Sequence, residues 1–302
     1  MLLKNFPKIK EKNICMAKLD FSKIYSYSKI SLFDKCPQQY YFNYLDPEVA
    51  PIKKEFKKQR HYQTKGLAVH GAITLFYHLP VSGRNFKNLK NSLKKAWFSE
   101  TDPGQKPPLG KRGGFSSLQE ERKAYLQALK LLKNFMQIDE ANPPLFYLPA
   151  RSIKDSFCDY EEMVKPLDKG TFISGKFDRI DTFDKNSLKV IDYKTGAGDH
   201  DYFQLYFYKL LAELNFNRKV KLVSFYCLKK GNIENFEVSK INTDAIKKKI
   251  LSKVKKIKNT KKFGPRPNRI CQYCDFQEIC PAFVKDIVRQ RIIKQKKTVS
   301  SC

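Results

Sequence analysis

The order of apolar segments after residue 150 constrains the fold of this chain more than any other feature. Five of these segments are short, rich in β-branched and aromatic residues and bounded by turn residues, as strands are: 152–164, 171–183, 187–193, 220–228 and 234–240. Helical periodicity separates the third from the fourth, at 201–214, and returns at 243–258. This order predicts an α/β fold in which a mixed β-sheet is flanked by helices.

The half of the chain before residue 150 has a helical pattern instead. Apolar residues recur every three or four positions in four segments: 26–46, 62–79, 86–98 and 117–137. Gly, Pro and Lys dominate 101–114, which is typical of a surface loop. The predicted regions are an unstructured leader (1–25), a helical part carrying Cys36 and His70 (26–150), the α/β part (151–262), a Cys-rich segment (263–284) and a frayed basic tail (285–302).

The charge of the chain is strongly one-sided. Lys and Arg total 59 and Asp and Glu total 30, which gives a net charge of +29. Such an excess attracts polyanions, of which nucleic acid is the commonest, although a lysine-biased genome would contribute to it. Lysines concentrate in the helix at 243–258, which favours a track for phosphates; a merely solvated helix face is the alternative. The sequence has neither a secretory signal nor a membrane-length apolar run, so we expect a cytoplasmic protein with reduced thiols.

Acidic and basic side chains gather at the ends of two predicted strands. Asp192 and Lys194 are two positions apart in SLKVIDYK and therefore share a face. Asp178 follows Gly175 in the preceding strand, and a tight turn would bring it beside Asp192. Neighbouring carboxylates repel unless positive charge lies near them, and Mg²⁺ is typically held by one or two carboxylates. The pattern favours a cation site that acts on a phosphate; ordinary strand-edge residues are the alternative.

These motifs resemble those of a known family. G-x-x-D followed by D-x-K, here Gly175–Asp178 and Asp192–Lys194, resembles the PD-(D/E)XK nuclease superfamily. Gln204 and Tyr208 are similar to the Q-x-x-x-Y element of its RecB/AddB-like branch, and Gly66 and His70 to the G-x-x-x-H helix of that branch. The resemblance covers most of the chain, and the motifs stand in family order.

The resemblance implies a restriction-endonuclease-like core at 151–262 and a set of site residues. The implied ligands of Mg²⁺ or Mn²⁺ are His70, Asp178, Asp192 and the backbone carbonyl of Tyr193. The implied catalytic residues are Asp178, Asp192, Lys194, Gln204 and Tyr208. Members often carry a further acid upstream, for which Glu161 and Glu162 both qualify.

Four of the eight cysteines form a second pattern. Cys271, Cys274 and Cys280 are closely spaced, and Cys36 lies far upstream in KCPQQYYF. Closely spaced thiols in a reducing compartment indicate metal, and zinc and a [4Fe–4S] cluster both accept four thiolates. The RecB/AddB-like resemblance implies a [4Fe–4S] cluster that joins the two ends of the domain, with zinc as the alternative. The aromatic residues beside Cys36 are expected to pack in the core.

Together these features predict a metal-dependent DNA nuclease. The resemblance implies an exonuclease that acts on single-stranded or unwound DNA in recombination or repair, away from membranes. It would act either beside a separate helicase that unwinds the DNA or alone. A DNA-binding scaffold subunit of a repair or CRISPR-type complex, with a weak or vestigial site, is the alternative. An RNA substrate also stays open at this point.

Overall fold

The structure is a computed structural model that describes residues 20–101, 112–144, 146–148, 163–196 and 201–300. Most of the predicted leader, most of the 101–114 loop, most of the strand at 152–164, and both Glu161 and Glu162 lie outside these ranges. No helix within them is long and apolar enough to span a membrane.

Helices dominate the N-terminal part, as predicted. They are α1 (Tyr27–Lys35), α2 (Pro37–Tyr44), α3 (His61–Tyr77), α4 (Phe86–Thr101) and α5 (Leu118–Ala141). The predicted single helix at 26–46 is in fact α1 and α2, because Cys36 adopts an extended backbone (φ −156°, ψ 105°) before Pro37. Helices α3, α4 and α5 enclose a core that includes Phe76, Trp97 and Phe135.

The strands form two sheets, and each sheet contains both parallel and antiparallel pairs. The smaller has the order β1 (Ile24–Ser26), β4 (Thr171–Ser174), β3 (Lys165–Asp168). The larger has the order β2 (Phe146–Leu148), β5 (Arg179–Asp184), β6 (Ser187–Lys194), β7 (Lys219–Cys227), β8 (Asn232–Glu237). Strands β6 and β7 are parallel and are joined by α6 (Tyr202–Phe216). The predicted fold class, a mixed α/β fold flanked by helices, is confirmed.

The larger sheet separates two cores and so decides where each side chain of β6 points. Ile191 and Tyr193 pack with the α3–α5 core. Leu188 and Val190 pack on the other face, against α6. Because side chains alternate along a strand, Asp192 and Lys194 lie on the α6 face. Helix α7 (Thr243–Asn259) covers α6 through its apolar stripe.

The predicted strand at 171–183 was wrong in its extent. It is two strands, β4 and β5, in different sheets, and the chain leaves regular structure at 175–178 between them. A Cβ on Gly175 would lie 2.8 Å from Leu211 Cδ2, so the glycine allows α6 to approach this break closely. The predicted turn at 165–170 was also too long, since Lys165–Asp168 is a strand.

Both predicted chain ends were also wrong in part. Residues 24 and 25, which are the end of the predicted leader, form β1 together with residue 26, and this strand pairs with residues 172–174 of β4. The predicted frayed tail contains α8 (Asp286–Ser300). Ile293 of α8 is buried against Phe42 and Phe56, which explains why this basic segment is ordered.

Candidate active site

The antiparallel pairing of β5 and β6 brings the two predicted acids together. Arg179 pairs with Ile191 and Ile180 with Val190, and continuing this register by one residue places Asp178 opposite Asp192. Asp178 Oδ2 accepts a hydrogen bond of 2.8 Å from the backbone N–H of Tyr193. The acids therefore sit on a rigid backbone platform where one strand begins and the other ends.

Helix α3 supplies the predicted histidine. His70 Nδ1 lies 3.1 Å from Asp178 Oδ1. One turn earlier, a Cβ on Gly66 would lie 3.1 Å from Thr195 Oγ1, directly after β6. The glycine of the G-x-x-x-H pattern thus lets α3 approach the strand end closely enough for His70 to reach Asp178.

Lys194 is held by a hydrogen-bonded chain that starts on α6. Its Nζ lies 2.7 Å from Asp192 Oδ2 and donates to Gln204 Oε1 at 2.9 Å. Gln204 Nε2 donates to Asp192 Oδ1 at 3.3 Å and to Tyr208 Oη at 3.1 Å. The four-residue spacing of Gln204 and Tyr208 places both side chains on one helix face, where they orient the acid and the base of D-x-K.

The site opens to the surface on one side. The exposed fraction of the side chains is 32% for His70, 26% for Asp178 and 21% for Lys194, but only 10% for Asp192. A substrate could therefore approach from the side of His70 and Asp178, while Asp192 lies at the buried end of the site.

Burial and charge act differently on the ionisation of the two acids. Burial, assisted by the negative charge of Asp178, raises the pKa of Asp192 to about 6, although Lys194 opposes this shift. Burial also disfavours the ionised form of Asp178, but His70 and the Tyr193 N–H outweigh it and lower the pKa of Asp178. The raised pKa of Asp192 means that added positive charge would stabilise its ionised form.

The donor set fits a hard divalent cation. Two carboxylates, one imidazole and a nearby backbone carbonyl are donors that Mg²⁺ and Mn²⁺ accept. In the described residues, no three His, Cys, Asp or Glu side chains are arranged to hold a metal as they stand. At the acids and the histidine, the local pairing accounts for this, since Asp178 faces His70 and Asp192 faces Lys194.

The four predicted cysteines meet at one pocket. Cys36, Cys271, Cys274 and Cys280 all line a cavity of about 70 Å³, which Lys35 and Arg266 also border. Backbone hydrogen bonds reach three of the sulfurs, from Asn268 to Cys271, Phe276 to Cys274 and Ala282 to Cys280. Burial, with the nearby thiols, raises the pKa of Cys274 to about 11, so cationic ligation would be needed to hold the Cys274 sulfur as a thiolate.

The Cys-rich segment is also tied to the N-terminal half outside this pocket. Arg266 Nη1 donates to the carbonyl of Asp34 at 2.7 Å, and Arg60 forms an ion pair with Asp275. In α2, beside Cys36, Tyr40 and Phe42 are buried, as expected for a packing role, whereas Tyr44 of the same helix is exposed.

The lysine-rich helix α7 is only partly available to a ligand. Its predicted apolar stripe is buried: Ile246, Ile250, Val254 and Ile257. Lys253 forms an ion pair with Asp34, and Lys258 donates to Gly170 O and Thr171 Oγ1. Lys248 and Lys255 are exposed and border an open groove with Lys258.

Sequence reasoning missed a buried polar network behind the site. Arg179 is 1% exposed and forms ion pairs with Asp139 and Asp181. The signal was present in FDRID, because charged residues inside an otherwise apolar strand must find buried partners.

A comparison with known proteins identifies the family of the chain. The sequence model of the PD-(D/E)XK nuclease superfamily matches residues 24–281, and no curated protein matches the chain. The chain belongs to the PD-(D/E)XK nuclease superfamily. Membership indicates a nuclease, and the superfamily resemblance seen in the motifs is confirmed.

Proposed function

We propose that the protein is a metal-dependent nuclease that hydrolyses phosphodiester bonds of DNA. The observation that carries this proposal is the convergence of Asp178, Asp192 and Lys194 at one open site, with Gln204 holding both Asp192 and Lys194. A vestigial site in a scaffold protein would have no reason to keep so complete a set of contacts.

Each residue has a distinct proposed role. His70, Asp178, Asp192 and the Tyr193 carbonyl would hold Mg²⁺ or Mn²⁺, which supplies polarisation of the phosphate and activation of a water. The ammonium group of Lys194 lies beside Asp192, where it can stabilise negative charge that develops on the phosphate. Gln204 and Tyr208 keep Lys194 in place.

The test is a time course on end-labelled single- and double-stranded DNA with Mg²⁺ or Mn²⁺. We expect metal-dependent cleavage, and the RecB/AddB-like resemblance predicts shortening from an end of single-stranded DNA, as in recombination or repair. Tight, salt-sensitive binding without cleavage in any metal would contradict the proposal and support the scaffold alternative. The same time course on an RNA substrate shows whether the protein prefers RNA or DNA.

The pocket of four cysteines supports a second proposal, a structural [4Fe–4S] cluster. The donor set fits, because four cysteines line one cavity and three of their sulfurs accept hydrogen bonds from backbone N–H groups. Lys35 and Arg266 would balance part of the charge of four thiolates. Zinc, which accepts the same thiolates, is the alternative that metal analysis separates.

We expect Gln204→Ala to lower kcat by roughly 10- to 100-fold, as is common when a group that orients a metal site is lost. Both Lys194 and Asp192 would lose a hydrogen-bond partner. Tyr208→Phe removes only the support of Gln204 and should cost less. The matched control is Asn215→Ala on the same helix, whose side chain bonds only to Leu211 O among the contacts of the described residues. Equal activity of Q204A and N215A would contradict the assigned role.

We expect K248Q/K255Q to weaken DNA binding and to reduce the salt dependence. Each lost phosphate contact lowers the slope of log K against log salt by about 0.7 to 0.9. The matched control is K185Q/K219Q, which makes the same charge change at two exposed positions that do not border the groove. Fluorescence anisotropy at several salt concentrations measures both slopes, and identical slopes for the two variants would rule out this groove as a phosphate track.

A further inference from the structure

A single buried guanidinium lies behind the candidate active site and contacts groups from its own strand and from four other elements. Arg179 Nη1 donates to Tyr77 Oη at 2.7 Å and lies 3.5 Å from Tyr193 Oη and 3.2 Å from Asp139 Oδ1. Its Nη2 donates to Asp181 Oδ2 at 2.8 Å. Two carboxylates and several hydroxyl groups thus compensate a charge that is almost fully removed from water.

Three members of this network are close in sequence to the three proposed side-chain ligands of the cation. Arg179 directly follows Asp178. Tyr193 directly follows Asp192 and points to the opposite face of β6. The third pair is on α3, where Tyr77 lies about two helical turns after His70.

The network therefore connects every element that brings a side-chain ligand to the site. Arg179 fixes β5, its bond to Tyr77 fixes α3 against β5, and its contact with Tyr193 fixes β6. A charged, nearly planar guanidinium has strong directional preferences, so it sets these distances more narrowly than apolar packing alone.

We propose that Arg179 is a positioning residue. It sets the distances between α3, β5 and β6 so that His70, Asp178 and Asp192 can all bind the same cation. This inference rests on the proposed function. It adds a distinct claim, that metal affinity depends on hydroxyl groups that never touch the metal or the DNA.

A merely stabilising network would make a different prediction, and Tyr226 separates the two. Tyr226 Oη lies 3.3 Å from Arg179 Nη2, so it belongs to the same buried network. It lies on β7, which carries none of the proposed ligands. Loss of the Tyr226 hydroxyl should cost stability without loosening the cation site, whereas loss of the Tyr77 hydroxyl should loosen it.

The experiment compares Tyr77→Phe with Tyr226→Phe in the full chain. Mn²⁺ binding is measured by calorimetry without DNA, and melting temperature is measured in parallel. We expect Y77F to weaken Mn²⁺ binding by roughly 10- to 100-fold and Y226F to stay within about twofold of the wild type. If Y77F does not fold, Tyr193→Phe replaces it, with the same expected loss, because it loosens β6.

The outcomes distinguish the inference from the proposed function. Equal Mn²⁺ affinity of Y77F and the wild type, or equal losses in Y77F and Y226F, would overturn the positioning role while leaving the nuclease proposal intact. A wild-type protein that binds no Mn²⁺ and cleaves no DNA would overturn the proposed function and this inference with it.

Discussion

Asp192→Asn should abolish DNA cleavage, with a loss of about 10³-fold or more, while leaving the protein folded. The amide keeps the size of the side chain but removes the charge that faces Lys194 at 2.7 Å and that would hold the cation. Losing one preorganised electrostatic group in an active site commonly costs 10²- to 10³-fold, and here a metal ligand would be lost as well. Initial rates on labelled single-stranded DNA measure the effect.

The fold should tolerate this change. Burial and the charge of Asp178 already raise the pKa of Asp192, which means that the ionised carboxylate is disfavoured in the folded state. A neutral amide at this position should therefore give a melting temperature no lower than that of the wild type. A clearly lower melting temperature would show that the ionised Asp192 supports the fold, contrary to this account.

The matched control is Asp184→Asn, the same substitution at the last residue of β5, which is the end of that strand far from Asp178. Asp184 forms a largely exposed ion pair with Lys221, a type of contact that contributes little to stability. D184N should cleave DNA at the wild-type rate. Full activity of D192N would refute the catalytic assignment.

Cys36→Ser should remove the metal from the cysteine pocket and lower the melting temperature by roughly 10 °C or more. Structural metal sites contribute many kcal/mol to folding, and losing about 4 kcal/mol shifts the melting temperature of a chain this large by roughly that amount. Serine is a preferred residue at the start of a helix, so α2 should still begin at Pro37. The fall in melting temperature would then come from the loss of the thiolate ligand and not from damage to the start of α2.

Metal analysis and visible absorbance of anaerobically purified protein are the measurements. The wild type should be brown, with about four irons per chain, and C36S should be depleted of iron. The control is Cys227→Ala, since Cys227 is buried in the larger sheet and does not border the pocket. C227A should keep its iron. A colourless wild type with one zinc would contradict the cluster, and C36S with full iron content would exclude Cys36 as a ligand.

The local geometry of the site could be predicted from the sequence because it depends on short-range rules. Alternation along β6 places Asp192 and Lys194 on one face, and the helical repeat does the same for Gln204 and Tyr208. The meeting of Cys36 with three cysteines more than two hundred residues later is a long-range contact. Only the family resemblance indicated it.

Other features depended on tertiary contacts and were missed for that reason. The break between β4 and β5 separates strands of two different sheets, and Gly175 at the break leaves room for Leu211 of α6. The ordered helix α8 is basic in composition, and its single buried Ile293 packs with residues of α2, of the turn before α3 and of the Cys-rich segment, which are distant from one another in sequence. The partners of Arg179 come from α3, α5, β6 and β7, which no local pattern connects.

The central claim is that two acids and a histidine from three elements converge on one divalent cation. The most direct measurement is the anomalous scattering of Mn²⁺ in crystals of the wild-type protein. We expect one strong peak between Asp178, Asp192 and His70, with carboxylate oxygens at about 2.1 Å, and no such peak in D192N. A wild-type crystal with Mn²⁺ bound elsewhere, while these side chains keep their pairing with one another and with Lys194, would contradict the claim.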